Sequence, residues 1–251
     1  MTLYRAEGIV LANRDLGEAD RIVVLLCREQ GKIEAVAKGA RRPRNRLVGL
    51  TLPFNHLRLA LFSGRGLDEV SQVEGIRSFQ RLRDDLLLLA YGSYLAELAG
   101  EFLPEREPCP EAFELLLESL RALEEGKDPE GVTGFFALNL LAMAGFRPAL
   151  THCLACGRRP APGEESFFHP AAGGIYCLTC PRPSGAFSLA GALRRAMEEA
   201  LAGARDFLVP LTPKDRRSFH LLLRAFLEVR LEKELRSLRF LAELVGPDER
   251  K

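Results

Sequence analysis

Two Cys-x-x-Cys pairs, Cys153-Leu154-Ala155-Cys156 and Cys177-Leu178-Thr179-Cys180, stand twenty residues apart. Each pair is short enough to turn on itself, so two such turns brought together would set four soft thiolates around one point, the ligand set of a tetrahedral zinc. A four-cysteine shell leaves no position open for water, so a metal bound there holds structure rather than doing chemistry. The segment between the pairs is interrupted by Gly157, Gly163, Gly173 and Gly174 and by Pro160, Pro162 and Pro170, which excludes a continuous helix. It reads as a small zinc ribbon at about residues 151–183, too poor in apolar side chains to keep its shape without a staple. Two disulfides, unliganded thiols, or a substitution of His152 or His169 for one cysteine are the alternatives.

The rest of the chain does not need such help. Its 251 residues, 47% of them hydrophobic, suffice for one large or two modest domains with their own core. No apolar run approaches the roughly eighteen residues of a membrane helix, and Met1-Thr2-Leu3-Tyr4-Arg5 lacks the apolar stretch of a secretory signal. A cytoplasmic protein with no membrane partner is expected. Cys27 and Cys109 are isolated, which fits a reducing compartment and a packing role.

A net charge of +1 gives no global argument for a polyanion partner, so any such site must be a local patch. The densest one is Lys38-Gly39-Ala40-Arg41-Arg42-Pro43-Arg44-Asn45-Arg46, with five cations and no carboxylate. Its glycine and proline disfavour regular structure, so it reads as an exposed basic loop. A charge run of this kind is ordinarily only a solvated face. Here its place between strands argues for more.

Through the first eighty residues the apolar period is near two. Arg21 to Cys27 is β-branched and apolar, Gln30-Gly31 turns, and Lys32 to Lys38 alternates Ile33, Ala35 and Ala37 with charged residues. Phe54 to Phe62 puts Leu57, Leu59 and Leu61 on one face and His56, Arg58 and Ala60 on the other. With Arg5 to Ala12 and Leu67 to Glu74 this makes five short strands, the number of an OB-fold barrel that commonly binds oligonucleotides, with the basic loop between strands three and four. Phe54 and Phe62 could stack bases, although strand aromatics are more often core.

From Asp84 the pattern is helical. Leu86 to Leu98 is apolar on most sides and should be buried; Glu111 to Leu123 and Thr133 to Ala144 follow, the latter ended by Gly145. Beyond the cysteines, Ser188 is placed to cap a helix reaching about Ala202, and Thr212-Pro213-Lys214-Asp215 reads as a capping box. One long final helix is expected from there, carrying an apolar stripe from Phe219 through Leu227, Leu231 and Leu235 to Leu241. The fold class expected is α+β and multidomain: a five-stranded OB-fold barrel over residues 1–80, then an all-helical domain over 81–251 with the four-cysteine zinc ribbon inserted.

Catalytic patterns are missing. The sequence holds no G-x-x-x-x-G-K-[ST], H-E-x-x-H or G-x-S-x-G, its four histidines are scattered, and paired carboxylates such as Asp84-Asp85, Glu124-Glu125 and Glu164-Glu165 are adjacent residues that do not face one another. No enzyme is expected and no catalytic residue is assigned.

Several runs resemble the bacterial recombination mediator family RecO. These are Glu7-Gly8-Ile9-Val10-Leu11, Leu16-Gly17-Glu18-Ala19-Asp20-Arg21, Gly31-Lys32 and Ala37-Lys38-Gly39-Ala40-Arg41-Arg42, then Leu141 to Pro148, Cys153-x-x-Cys156-Gly157 and Leu235 to Leu241. Each motif is modest and their shared order is specific, spanning nearly the whole chain. The resemblance implies an N-terminal OB-fold, a helical domain and a zinc ribbon in a nucleoid-associated protein of recombinational DNA repair. Such a protein binds single- and double-stranded DNA, anneals strands coated by single-strand-binding protein, and works with RecR, and in some bacteria RecF, to load RecA. No nucleotide hydrolysis is implied.

On this reading Lys38, Arg41, Arg42, Arg44 and Arg46 neutralise phosphates, with Arg5, Arg14, Lys32, Arg58 and the run Lys214 to Arg217 as secondary cations. Cys153, Cys156, Cys177 and Cys180 hold one structural zinc. The acidic, apolar C-terminal tail of single-strand-binding protein would need an apolar pocket beside cations, sought around Phe135, Phe136, Leu140, Arg147 and the segment from Arg216 to Arg224. The competing reading is a non-enzymatic interaction scaffold whose basic loop is incidental.

Overall fold

Alternating apolar side chains close the first part of the chain into a barrel. Its strands are β1 (Leu3–Leu16), β2 (Asp20–Cys27), β3 (Gly31–Ala37), β4 (His56–Phe62) and β5 (Asp68–Arg77), in the closed order β1-β2-β3-β5-β4. All neighbours are antiparallel except β3 and β5, which run parallel. The fourteen-residue β1 makes closure possible. Leu3 to Ile9 pairs with β4, Gly8 to Leu16 pairs with β2, and the register shifts between Val10 and Ala12 where the strand turns from one partner to the other. Val10, Val23, Leu25, Ile33, Ala35, Leu57, Leu59 and Leu61 fill the interior. At about 25 cal/mol per Å² of apolar area removed from water, this core is the main stabilisation of the barrel. This five-stranded closed order is the OB-fold expected from the alternation.

The computed structural model describes residues 2–203, 211–231 and 234–245. After the barrel come α2 (Gln80–Asp84), α3 (Leu86–Phe102) and α4 (Pro110–Glu124), while the short α1 (Leu47–Leu50) lies between β3 and β4. The Asp85 carboxylate accepts from the Leu87 and Leu88 amides and so starts α3, a cap worth about 1 kcal/mol. Leu86 and Leu87 in its first turn are exposed, and burial begins at Ala90. Phe54, considered for base stacking, is instead 1% exposed, with its ring against Gly92 of α3 where no side chain leaves it room. His56, expected on an outward face, is covered by α4, its ring edge-on to Phe113.

The remaining elements are α5 (Pro129–Met143), a three-stranded sheet of β6 (Ser166–His169), β7 (Gly174–Cys177) and β8 (Phe187–Leu189) in the order β7-β6-β8, then α6 (Gly191–Leu201), α7 (Pro213–Glu228) and α8 (Arg236–Val245). Gly145 ends α5 at φ +87°, with the Phe146 amide reaching back to the Leu141 carbonyl. Thr212 caps α7 as the sequence suggested, its hydroxyl accepting from the Asp215 amide at 3.1 Å.

Two further expectations fail. Ser188 caps nothing, because Phe187 to Leu189 is recruited as the third strand on β6, and α6 starts after Ala190 with no side-chain cap. The single long final helix is two helices. Arg230 closes the end of α7 by donating to the Phe226 and Pro170 carbonyls, and α8 is started afresh by Glu97 of α3. Contacts divide the chain into two compact units, residues 1–129 with 235–251, and residues 130–234. The first therefore contains the barrel, α2 to α4 and α8.

Candidate metal centre and nucleic-acid interface

The ribbon brings its four cysteines together through two turns. Gly157, at φ +72°, lets its amide return to the Cys153 carbonyl at 2.8 Å, and the Cys180 amide returns to the Cys177 carbonyl at 3.3 Å. The first turn is pinned to β7, since the Leu154 amide donates to the Ile175 carbonyl at 2.8 Å. The four Sγ atoms consequently lie within 4.8 Å of one another, and those of Cys156 and Cys177 are 3.8 Å apart. A tetrahedral ion with metal–sulfur bonds of about 2.3 Å requires an edge of about 3.8 Å, whereas a disulfide requires about 2.05 Å. The arrangement fits one metal ion, and among the described residues it is the only such cluster of cysteine, histidine and carboxylate groups. Neither neighbouring histidine belongs to it: His152 Nδ1 faces the Thr151 hydroxyl and His169 Nδ1 accepts from the Ala172 amide.

Hydrogen bonds already favour thiolates there. The Thr179 hydroxyl, 3.3 Å from Cys177 Sγ, leads the donors that hold the Cys177 thiol down to about 5, against burial. Burial pulls Cys153 upward, but backbone amides, that of Cys177 at 3.3 Å first among them, outweigh it and leave the thiol lowered. Cys180 moves the opposite way, to about 12, because it shares its proton with the sulfurs of Cys156 and Cys177. Arg158, which the sequence reading passed over, is held charged by Glu164 and by the Cys177 sulfur, and so offsets part of the negative charge of the cluster.

The basic run forms the connection between β3 and β4, as expected, and each cation has its own circumstances. Lys38 is 2.8 Å from Glu69, and Arg41 is 3.2 Å from Asp15 while donating to the Gly17 carbonyl. Arg46 donates to the Val73 carbonyl of β5. Arg42 and Arg44 are exposed, their guanidiniums have no hydrogen-bonding or ionic partner among the described residues, and Arg44 sits at φ +67°. The exposed pairs are worth no more than about 1 kcal/mol, so a phosphate can displace them. Of the secondary cations, Arg14 is bound by both oxygens of Glu34 and Lys32 donates to the Gly100 carbonyl at the end of α3, so both are occupied structurally.

The expected apolar pocket is not open. Phe135, Phe136 and Leu140 are 5%, 0% and 1% exposed, because the apolar face of α5 is core, with Phe219 of α7 filling the space beside Gly134. Arg147 donates to the Leu201 carbonyl, Arg216 is 3.9 Å from Glu130, and Arg224 pairs with Glu228 along α7.

A family profile described as recombination protein O N terminal matches residues 1–79, and one described as recombination protein O C terminal matches residues 83–239. The chain is 43% identical over 249 residues to a DNA repair protein RecO of Symbiobacterium thermophilum, covering 97% of this chain and 98% of that one. Over 241 residues it is 38% identical to the RecO of a Nocardioides species, and over 246 residues 39% identical to that of Thermobifida fusca, in each case covering 95% of this chain and 98% of the other. No helix among the described residues is long and apolar enough to cross a membrane.

Proposed function

Because the chain belongs to the recombination protein O family, whose relatives are DNA repair proteins, we propose that it is a non-enzymatic mediator that binds DNA and anneals complementary strands during recombinational repair. Annealing needs no bond chemistry. Cations lower the repulsion between two phosphate backbones, and base pairing supplies the driving force. The observation that carries this reading is the connection between β3 and β4, where Arg42 and Arg44 stand exposed on the rim of an OB-fold barrel without a partner among the described residues, with Lys38, Arg41 and Arg46 in displaceable contacts beside them.

The cluster of four cysteines takes one structural zinc, whose role is to hold the ribbon. RecR, and RecF where a cell uses it, would act with the chain in loading RecA. The tail of single-strand-binding protein would meet the exposed face of α7 rather than the buried phenylalanines, because Leu221 is half exposed there between Arg217 and Arg224.

The test is annealing of complementary oligonucleotides coated with single-strand-binding protein. The intact chain should accelerate it without nucleotide, and Arg42→Glu with Arg44→Glu should remove most of the acceleration. No acceleration by the intact chain, with RecR present or absent, refutes the annealing role.

A further inference from the structure

On its β1-β4-β5 side the barrel carries an open groove of about 830 Å³ that is separate from the outer cations of the basic loop. Its charged walls are Arg5 of β1, Arg58 of β4 and Arg46 from the end of the loop, against a single carboxylate, Glu74 of β5. Lys38, Arg41, Arg42 and Arg44 do not line it. The strand registers explain the grouping. Arg5 pairs with Ala60, Ala60 with Gln72, and Arg58 with Glu74, so the two arginines sit diagonally on one outward face, with the small Ala60 side chain opposite Arg5. The residue opposite Arg58 on β1 is Glu7, whose carboxylate is taken by His56 and Arg28 and does not line the groove. Arg5 is exposed, and its guanidinium has no partner among the described residues. Arg58 meets Glu74 only at 3.4 Å, with both side chains largely in solvent, a contact that an entering anion replaces at little cost.

The rest of the lining is Ser71, Gln72 and Asn45 with the aliphatic Leu47, Leu59, Val70 and Val73; no aromatic ring is among them. Barrels that sequester single strands do so by stacking bases on aromatic side chains. A groove with cations and polar groups but no ring can grip phosphates and leaves the bases free.

We propose that this groove is a second single-strand site, which holds a DNA strand by its backbone with the bases available for pairing, while Arg42 and Arg44 serve another strand. The proposal rests on the annealing reading and gives it a physical form: one chain that presents one strand ready to pair with the next. It also commits to a polynucleotide, because three guanidiniums against one carboxylate suit a repeating monoanion.

The experiment measures binding of the full-length chain to a thymidine oligonucleotide and to an abasic deoxyribose-phosphate oligomer of equal length, by fluorescence anisotropy across a salt series. The two ligands should bind within about threefold of each other. Arg5→Gln with Arg58→Gln should lower the slope of log K against log salt by about 1.4 for both, from about 0.7 per lost single-strand contact. Arg42→Gln with Arg44→Gln should lower it independently, and the four substitutions together should lower it by the sum. An unchanged slope in the Arg5 and Arg58 variant overturns the groove, as does more than tenfold weaker binding of the abasic oligomer. So does a polyglutamate peptide that competes as well as the abasic oligomer, which would make the groove a protein-docking site. If instead only the Arg42 and Arg44 variant is unchanged, the loop assignment fails and the groove stands.

Discussion

Ser237, in the first turn of α8, donates both its amide and its hydroxyl to one carboxylate oxygen of Glu97 on α3, 140 residues earlier. The other oxygen of Glu97 takes the Arg236 amide at 3.0 Å. A helix N-terminus has unsatisfied amides and a partial positive charge, so a carboxylate brought to it by tertiary structure starts α8 as effectively as a local cap.

Glu97→Ala should therefore destabilise the chain by about 1–2 kcal/mol, the cost of a lost charged cap. That corresponds to a fall in Tm of about 2–4 °C per kcal/mol for a chain of this size. Amide hydrogen exchange in residues 236–245 should rise more than elsewhere, and exchange spread evenly over the chain would contradict a local capping role.

One zinc per chain should copurify with the reduced protein. Apparent zinc-binding free energies in finger peptides are about 10–16 kcal/mol at pH 7, and ordering of the ligand segment is part of that figure. Cys177→Ser should loosen residues 149–190 while the barrel keeps its protection, because the cluster and the barrel belong to different compact units. Elemental analysis without metal, or a Cys153–Cys156 disulfide in reduced protein, would contradict the assignment.

Arg42→Gln with Arg44→Gln should weaken binding to all single-stranded sequences alike, and lower the salt slope by about 1.4 at roughly 0.7 per contact. Arg14→Gln should leave that slope unchanged, since Arg14 is committed to Glu34 through two bonds of 2.6 and 2.8 Å. Equal effects from the two changes would show that bulk charge, not the loop, sets affinity.

Acid should erode stability in two stages. Burial under α4 lowers the pKa of His56 below its ordinary value near 6.5, with Arg121 and Arg28 adding to the effect and Glu7, 2.8 Å away, opposing it. The unfolded chain therefore binds a proton first, so this contribution is complete above pH 6.5 and is lost as pH falls through the lower folded value. Glu7 behaves likewise further down. Burial pulls it upward, but bonds from His56 and Arg28 outweigh this and hold it below 4.5, so its contribution is lost as pH falls beneath that value. His56→Gln should flatten the stability curve just below pH 6.5 in urea titrations. A slope there equal to that of the unaltered chain would refute the assignment.

Local pattern determined the elements that depend on nearest neighbours. Period-two alternation at Ile33, Ala35 and Ala37 and at Leu57, Leu59 and Leu61 specified the barrel strands, because a strand with one wet face must alternate. Each Cys-x-x-Cys turn, and the start of α7 at Thr212 with Asp215, was legible because the partners lie within a few residues, whereas the meeting of the two cysteine pairs depends on the Leu154 amide reaching Ile175 on β7. What tertiary structure decided was everything set by a distant partner. The stripe from Phe219 to Leu241 is continuous in sequence, yet Arg230 closes one helix on the Pro170 carbonyl and Glu97 opens the next. Ser188 looks like a cap and becomes a strand because the β6 edge is free to pair with it. Phe135 and Phe136 could equally have been exposed or core, and Phe219 beside Gly134 belongs to the packing that made them core. Among the loop cations, Asp15 of β1 takes Arg41, Glu69 of β5 takes Lys38 and the Val73 carbonyl takes Arg46, which leaves Arg42 and Arg44 without a partner among the described residues.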